Sequence, residues 1–330
     1  MFSHSLFFIT QSTFPIIGDL ARFFGFLMDS IYNFFGDNFG VYSLGLSIII
    51  FTLITKLLML PLAFKQQKSM KEMQVIQPEI KKIQDKYKSK KDPESQKKMQ
   101  AEMTALYQEH GVSPFGGCLP LVIQMPIIFS LFAVLRNIPA YIGNIGDKYT
   151  QIVTYVTNVD GYADKLEIIR NMDDFKTALS ISKYDATIPE KLIDLFYKFQ
   201  SSTWTAFYDL FPTIQGSVST VVVELNEIYE MFGINLADKP DLLTLGVLIP
   251  LLNVVVQFAV TKTSMSSSGG AQNQTNQTMM YTMPLVSGFF ATTLPAGLGL
   301  YWLAGSVFQL GQQLVINKHI HNELDKKKKK

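Results

Sequence analysis

One cysteine, Cys118, stands among 330 residues, so the chain has neither a disulfide framework nor a zinc-binding thiolate cluster. No cysteine lies near the start, so lipoprotein-type acylation is not expected there. The four histidines (His4, His110, His319 and His321) form no ligand pattern, and the last two are spaced to point apart on a helix. A Gly-x-Ser-x-Gly elbow, a Walker-type phosphate loop and an intramembrane His–Glu metal motif are all missing. These absences argue against an enzyme, and no cofactor or metal is expected. The start also lacks the basic region of a conventional signal peptide. Arg22 is the only basic residue before position 43, against Asp19, Asp29 and Asp37. No Asp or Glu lies well inside a long apolar run, which deprives a proton- or sodium-coupled carrier of its usual carboxylate.

What is abundant is apolar sequence. A chain 48% hydrophobic with mean hydropathy +0.17 suits an integral membrane protein better than a soluble domain of this length. A bilayer core of roughly 30 Å takes about 20 mostly apolar helical residues. Five stretches fit: 44–62, 113–136, 242–261, 279–294 and 295–317. The residues between them are segregated by charge. Residues 65–112 carry eleven lysines against seven acids, the tail 318–330 six lysines against two acids, and 137–241 eight bases against fifteen acids. Lysine-rich segments stay cytoplasmic. The expected fold is an all-α integral membrane protein with five transmembrane helices, the N-terminus outside and the C-terminus inside.

The remaining segments follow from their patterns. Residues 1–43 read as an extracytoplasmic start with an amphipathic interfacial helix over 14–35, a weak first span being the competing reading. Residues 63–112 read as a cytoplasmic helical hairpin. Met73, Ile76, Ile80, Ile83 and Tyr87 step as one seam, Met99, Met103 and Leu106 as another, and Lys88-SKKDPES-Gln96 turns between them. The seams either pack the two arms on each other or offer an adaptable surface to partners through Met73, Met99 and Met103. Residues 137–241 read as an extracytoplasmic, mostly helical insert with no recognisable chemistry. Residues 262–278, rich in Ser, Gly, Asn and Gln, read as a polar cytoplasmic loop, and 318–330 as a basic cytoplasmic tail. The run Lys326, Lys327, Lys328, Lys329, Lys330 could meet ribosomal RNA without sequence preference, meet anionic lipid, or only solubilise.

Lys56 is the most informative residue. It sits in Leu44-GLSIIIFTLITKLLML-Pro61, where a cation costs at least ~2.5–3.5 kcal/mol on insertion scales unless it faces protein, water or a pathway. It could also snorkel toward the polar sequence that begins at Lys65. Thr52 and Thr55 share its part of the helix, and Gln124 lies in the second run. Asn253 and Gln257 stand one helical turn apart. Trp302, Ser306, Gln309 and Gln313 form a stripe down the last run. Three polar helix faces around a cation with no intramembrane acid favour a hydrated groove over interhelical hydrogen bonding alone.

Certain strings are more specific. They are Lys56-LLMLPLAFKQQKSM-Lys71, Met73-QVIQPEIKKI-Gln84, His110-GVSPFGGCLPLVIQMPI-Ile128, Ile249-PLLNVV-Val256 and Leu294-PAGLGLYWLAGSVFQLGQ-Gln313. Together they resemble the YidC family of membrane protein insertases, in the short bacterial form without a large N-terminal periplasmic domain. The resemblance covers about 25–136 and 242–317 and leaves out the acidic insert. It implies a five-helix core around a hydrophilic groove open to the cytoplasm and to lipid. In such a groove one cation attracts the polar leading segment of a nascent membrane protein. Lys56 takes that cation's place, where the family usually has arginine. Arginine stays charged, whereas a buried lysine can lose its proton. A groove glutamine frequent in the family aligns near Thr261, so Asn253 and Gln257 are the candidates to supply that polarity. The implied function is a non-enzymatic insertase and folding chaperone in the bacterial cell membrane. Its partners would be nascent membrane proteins, membrane lipid, the ribosome and the Sec translocon, with no specific nucleic-acid sequence. The rival readings are a channel or carrier for a small solute or ion, and a scaffold for the external helices.

Overall fold

The computed structural model describes residues 11–12, 14–89, 92–111, 119–172, 188–266 and 274–328. Helices make up nearly all of it, and the only strands among the described residues are two of two residues each. The all-α expectation therefore holds. The chain divides into two compact units, each gathering distant stretches of sequence.

One unit comprises the chain up to Phe51, Pro126–Gly246 and Leu294–Leu300. Its first helix, α1 (Ile17–Phe39), buries Ala21, Phe24, Met28, Ile31 and Tyr32 at helical spacing. Its other side exposes Phe23, Phe26 and Phe34. A helix with large apolar side chains on its outer face suits contact with lipid. The first half of α2 (Leu44–Leu58) belongs here and buries Leu44, Ile48 and Phe51, with the Phe51 and Phe24 rings 5.2 Å apart edge to face. The acidic insert is helical: α7 (Gly143–Thr157), α8 (Tyr162–Arg170), α9 (Pro189–Phe196), α10 (Ser201–Leu210) and α11 (Gln215–Tyr229). Its core includes Ile145, Ile152, Leu192, Phe196, Phe207 and Val218. A hairpin of β1 (Glu230–Met231) and β2 (Ile234–Asn235) closes it. Both turn residues, Phe232 and Gly233, have positive φ (55° and 76°), the requirement of a type I′ turn.

The other unit comprises Thr52–Met125, Val247–Thr293 and the chain from Tyr301 onward. The helix carrying Lys56 does not run straight through Pro61. It bends by 58° between Leu44–Leu58 and the start of α3 (Leu60–Val75). Proline has no N–H to donate to the carbonyl of Leu57, which is where such a helix breaks. The hairpin follows as α4 (Gln77–Tyr87) and α5 (Pro93–Glu109). Asp92 caps α5 by accepting the N–H of Ser95 at 2.8 Å, with Pro93 at the first helical position. Ile76, Ile80 and Leu106 form its core, and Met73, Ile83, Met103 and Tyr107 pack against it.

Three helices complete the described chain: α12 (Leu248–Ser266), α13 (Gln274–Thr293) and α14 (Ala296–Lys328). In this unit α12 and α13 lie close together, since a side chain added at Gly288 would come within 2.4 Å of Val254 Cγ2. Among the described residues one helical stretch, Leu245–Ser264, is alone long and apolar enough to cross a bilayer. The bent pair Leu44–Leu58 and Leu60–Ser69 makes a second if it counts as one span, and Gln124–Arg136 of α6 (Leu119–Arg136) is apolar but shorter. Along the crossing stretch Leu251, Val255 and Phe258 are exposed, as lipid-facing side chains would be.

Candidate functional site around Lys56

The last helix collects the site, and it does so inside one unit. Along α14, Tyr301, Gly305, Ser306, Gln313 and Asn317 each meet a residue from a different part of the chain. Tyr301, nearly fully buried, accepts a hydrogen bond at its hydroxyl from Gln124 Nε2 of α6 at 2.9 Å. One turn later, Gly305 faces the stem of Lys56. A Cβ placed there would lie 3.0 Å from Lys56 Cε, 3.6 Å from Nζ and 3.7 Å from Thr52 Cγ2. With no side chain at this position, the lysine stem lies close against the last helix. Ser306 Oγ then donates to Gln257 Oε1 of α12 at 3.1 Å, and Gln313 Nε2 donates to Ser264 Oγ at 2.7 Å. Nearer the tail, Gln67 Nε2 of α3 donates to Asn317 Oδ1 at 3.2 Å.

The two bonds between α12 and α14 repeat at a heptad step on both helices, from Gln257 to Ser264 and from Ser306 to Gln313. Partners that advance together in this way run in the same direction. The step is that of left-handed packing with polar residues in the seam. Within the apolar span such bonds contribute about 0.6–2 kcal/mol each.

Each residue expected at the site has a definite place. Lys56 is half-buried and makes no ion pair among the described residues. Thr52 is fully buried, and its carbonyl accepts from Thr55 Oγ1 at 2.9 Å. Asn253 is also buried, but its side-chain amide donates to the carbonyl of Ile249 in its own helix at 2.9 Å. Trp302 is half-buried with its ring 6.3 Å from that of Phe290, and Gln309 is half-buried on the same helix. The stripe read from sequence is therefore divided, since Ser306 and Gln313 are joined to α12 while Trp302 meets α13. Met73 and Met103 pack into the hairpin's own core, the arrangement in which the two arms hold each other, and Met99 is half-buried on α5. Lys326–Lys328 fall in the last helix, whereas Lys329 and Lys330 lie outside the described residues, as do the Val112–Cys118 part of the most specific string and 267–273 of the polar loop.

Gly305, Tyr301 and Ser264 were not singled out from the sequence. The usable signal for Gly305 was its place one residue before Ser306, on the polar stripe of an otherwise bulky helix. Tyr301 reads as an aromatic core residue until its partner Gln124 is known.

Comparison with known proteins finds relatives over most of the chain. The family described as 60Kd inner membrane protein matches residues 34–323. The membrane protein insertase YidC of Chloroherpeton thalassium is 29% identical over 298 residues, which is 90% of this chain and 36% of that protein. The membrane protein insertase YidC 2 of Listeria innocua is 28% identical over 317 residues, 94% of this chain and 78% of its relative. A denser match, 47% over 123 residues, links 37% of the chain to the membrane protein insertase YidC of Fusobacterium nucleatum. The chain thus spans about a third of the length of the Chloroherpeton relative, and most of the Listeria one.

Proposed function

The chain belongs to the 60Kd inner membrane protein family, and from that premise we propose that it is a non-enzymatic insertase and folding chaperone for nascent membrane proteins in the bacterial cell membrane. Five spans, 44–62, 113–136, 242–261, 279–294 and 295–317, cross the bilayer with the N-terminus outside. The hairpin and the basic tail lie in the cytoplasm. Thr52, Lys56, Gln124, Asn253, Gln257, Trp302, Ser306 and Gln309 line a hydrophilic groove. The ribosome and the Sec translocon are the partners this activity calls for.

The observation that carries the reading is the placement of Lys56. Its stem lies against Gly305, one residue from the Gln257–Ser306 bond. A cation held beside hydrogen-bonding side chains offers a carboxylate on a leading segment both a counter-charge and donors. The work is a lowered barrier. A polar tail crossing bare hydrocarbon leaves each backbone group unsatisfied at several kcal/mol. Water and side chains partway across shorten that passage without any nucleotide. A channel or carrier reading has nothing comparable behind it, since the relatives are named as insertases.

The test is insertion of a single-span substrate into liposomes containing the purified protein. Lys56→Leu should slow insertion of a substrate with an acidic leading tail by about tenfold, ~1.4 kcal/mol of lost stabilisation, while Lys56→Arg keeps the rate. Equal rates for the Leu variant and the parent would reduce Lys56 to a snorkelling side chain. Failure of the parent protein to accelerate insertion at all would remove the insertase reading.

A further inference from the structure

The insert closes around a small pocket that the insertase reading does not use. Tyr149, Tyr197, Phe199, Trp204 and Tyr229 line a cavity of ≈ 30 Å³ together with Asp238. The rings stand at contact spacing, with centroids 4.9 Å apart for Phe199 and Trp204, 6.0 Å for Tyr149 and Tyr197, and 6.3 Å for Tyr197 and Tyr229. Two hydroxyl protons are committed to the protein. Tyr197 donates to the carbonyl of Leu135 at 2.9 Å, and Tyr229 to the Tyr149 hydroxyl at 3.4 Å. Burial raises the pKa of all three phenols, so the walls are neutral π faces rather than phenolates.

Asp238 supplies the one formal charge among the lining residues. The residue is exposed, its side chain makes no hydrogen bond or close ion pair among the described residues, and the Lys198 charge attracts its carboxylate. That Lys198 ammonium also donates to the carbonyl of Arg136 at 2.6 Å and sits 4.5 Å from the Tyr197 ring centroid. The wall bearing Asp238 is fixed to the start of the last helix. Ala296 N–H donates to the Asp238 carbonyl at 2.7 Å, and Gly297 N–H to that of Leu236 at 2.9 Å.

From this geometry we propose that the pocket binds a primary ammonium group, with the aromatic faces and the Asp238 carboxylate as its recognition elements. A cation over aromatic faces beside a carboxylate is attracted by both, and the more so in a partly closed site. Size sets the class. The cavity has room for about one or two waters, which a primary ammonium matches and a trimethylammonium exceeds. The ammonium comes either from a free amine or from the ethanolamine headgroup of a phospholipid. The wall's attachment to the first turn of α14 favours the headgroup. The site stands apart from the insertase reading, and its test does not measure insertion.

The chain has only two tryptophans, so Trp302→Phe leaves Trp204 in the pocket wall as the sole indole reporter. The full-length protein in detergent would be titrated with ethanolamine, choline, and short-chain phosphatidylethanolamine or phosphatidylcholine at matched ionic strength. Ethanolamine compounds should change Trp204 emission saturably and choline compounds should not. Asp238→Asn should weaken the apparent affinity by about tenfold. Ala237→Leu, which fills the cavity from its rim, should abolish the response. Saturation at much lower concentration by the lipid than by free ethanolamine identifies a headgroup site, and equal concentrations identify a free-amine site. An absent response, one shared equally with choline, or one unchanged in both variants would leave a water-filled pocket and overturn the proposal. Circular dichroism of each variant checks that it remains folded.

Discussion

Gly305 and Lys56 can be read as one device distributed over two helices. A lysine carries four flexible carbons, so its charge goes where its stem is allowed to lie. With 3.0 Å between Lys56 Cε and a Cβ at position 305, alanine asks the stem to yield by a few tenths of an ångström. Valine asks for more than the site has. Gly305→Ala should therefore keep most of the insertion rate. Gly305→Val should lower it by about tenfold, equivalent to ~1.4 kcal/mol, for a substrate with an acidic leading tail, and much less for a neutral tail. Comparable loss with both substrates would mean that valine merely disrupts packing. A second residue-scale test concerns Lys198 in the insert. Burial, helped by the nearby Arg136 charge, lowers its pKa from the ordinary 10.5 to about 8. Between those values the unfolded chain holds the proton more firmly than the folded one, so stability must rise as pH increases from about 8 toward 10.5. Thermal unfolding in detergent across that range should show the rise in the parent protein and a flatter profile in Lys198→Met. Identical slopes in the two would assign the pH dependence to other groups.

At the scale of elements, periodicity made some features legible and pairing hid others. The hairpin seam was readable because Ile76, Ile80 and Leu106 repeat at helical spacing around a turn marked by Asp92 and Pro93. The helical character of the insert was readable for the same reason. The 58° bend after Leu58 was not read, although Pro61 announces it, because the apolar run continues unbroken past the proline and hydropathy does not register a missing N–H. The polar stripe on the last helix was visible as a stripe, but not as bonds. Whether Ser306 and Gln313 face water or α12 depends on the matching heptad step of Gln257 and Ser264, and a single-helix pattern carries no information about its partner's register. Asn253 adds a local bond that a helix-face pattern does not reveal, since its buried amide donates to the carbonyl of Ile249 in its own helix. The exposed Phe232 at a left-handed turn position is another local surprise, because a type I′ turn favours asparagine or glycine there.

For the whole molecule the decisive quantity is the sorting of charge along the chain. Residues 65–112 and 318–330 are rich in lysine, while 137–241 carries fifteen acids against eight bases. Short lysine-rich segments resist transfer across the membrane, and acidic ones are far less constrained. The insert is long for this rule, but its acidity gives it no reason to be retained. The proposed five-span order, with the hairpin inside and the insert outside, satisfies every segment, whereas losing any one of the four spans between the two lysine-rich segments would put one of them on the wrong side. The single cysteine makes this easy to test. In a Cys118→Ser background, Ser95→Cys marks the hairpin and Ser219→Cys marks the insert, both at partly exposed positions. In intact cells a membrane-impermeant maleimide should label the cysteine at 219 and not the one at 95. After permeabilisation both should react. Labelling of both in intact cells, or of the hairpin alone, would break the proposed topology, and with it the argument that the groove around Lys56 opens toward the side where nascent chains are made.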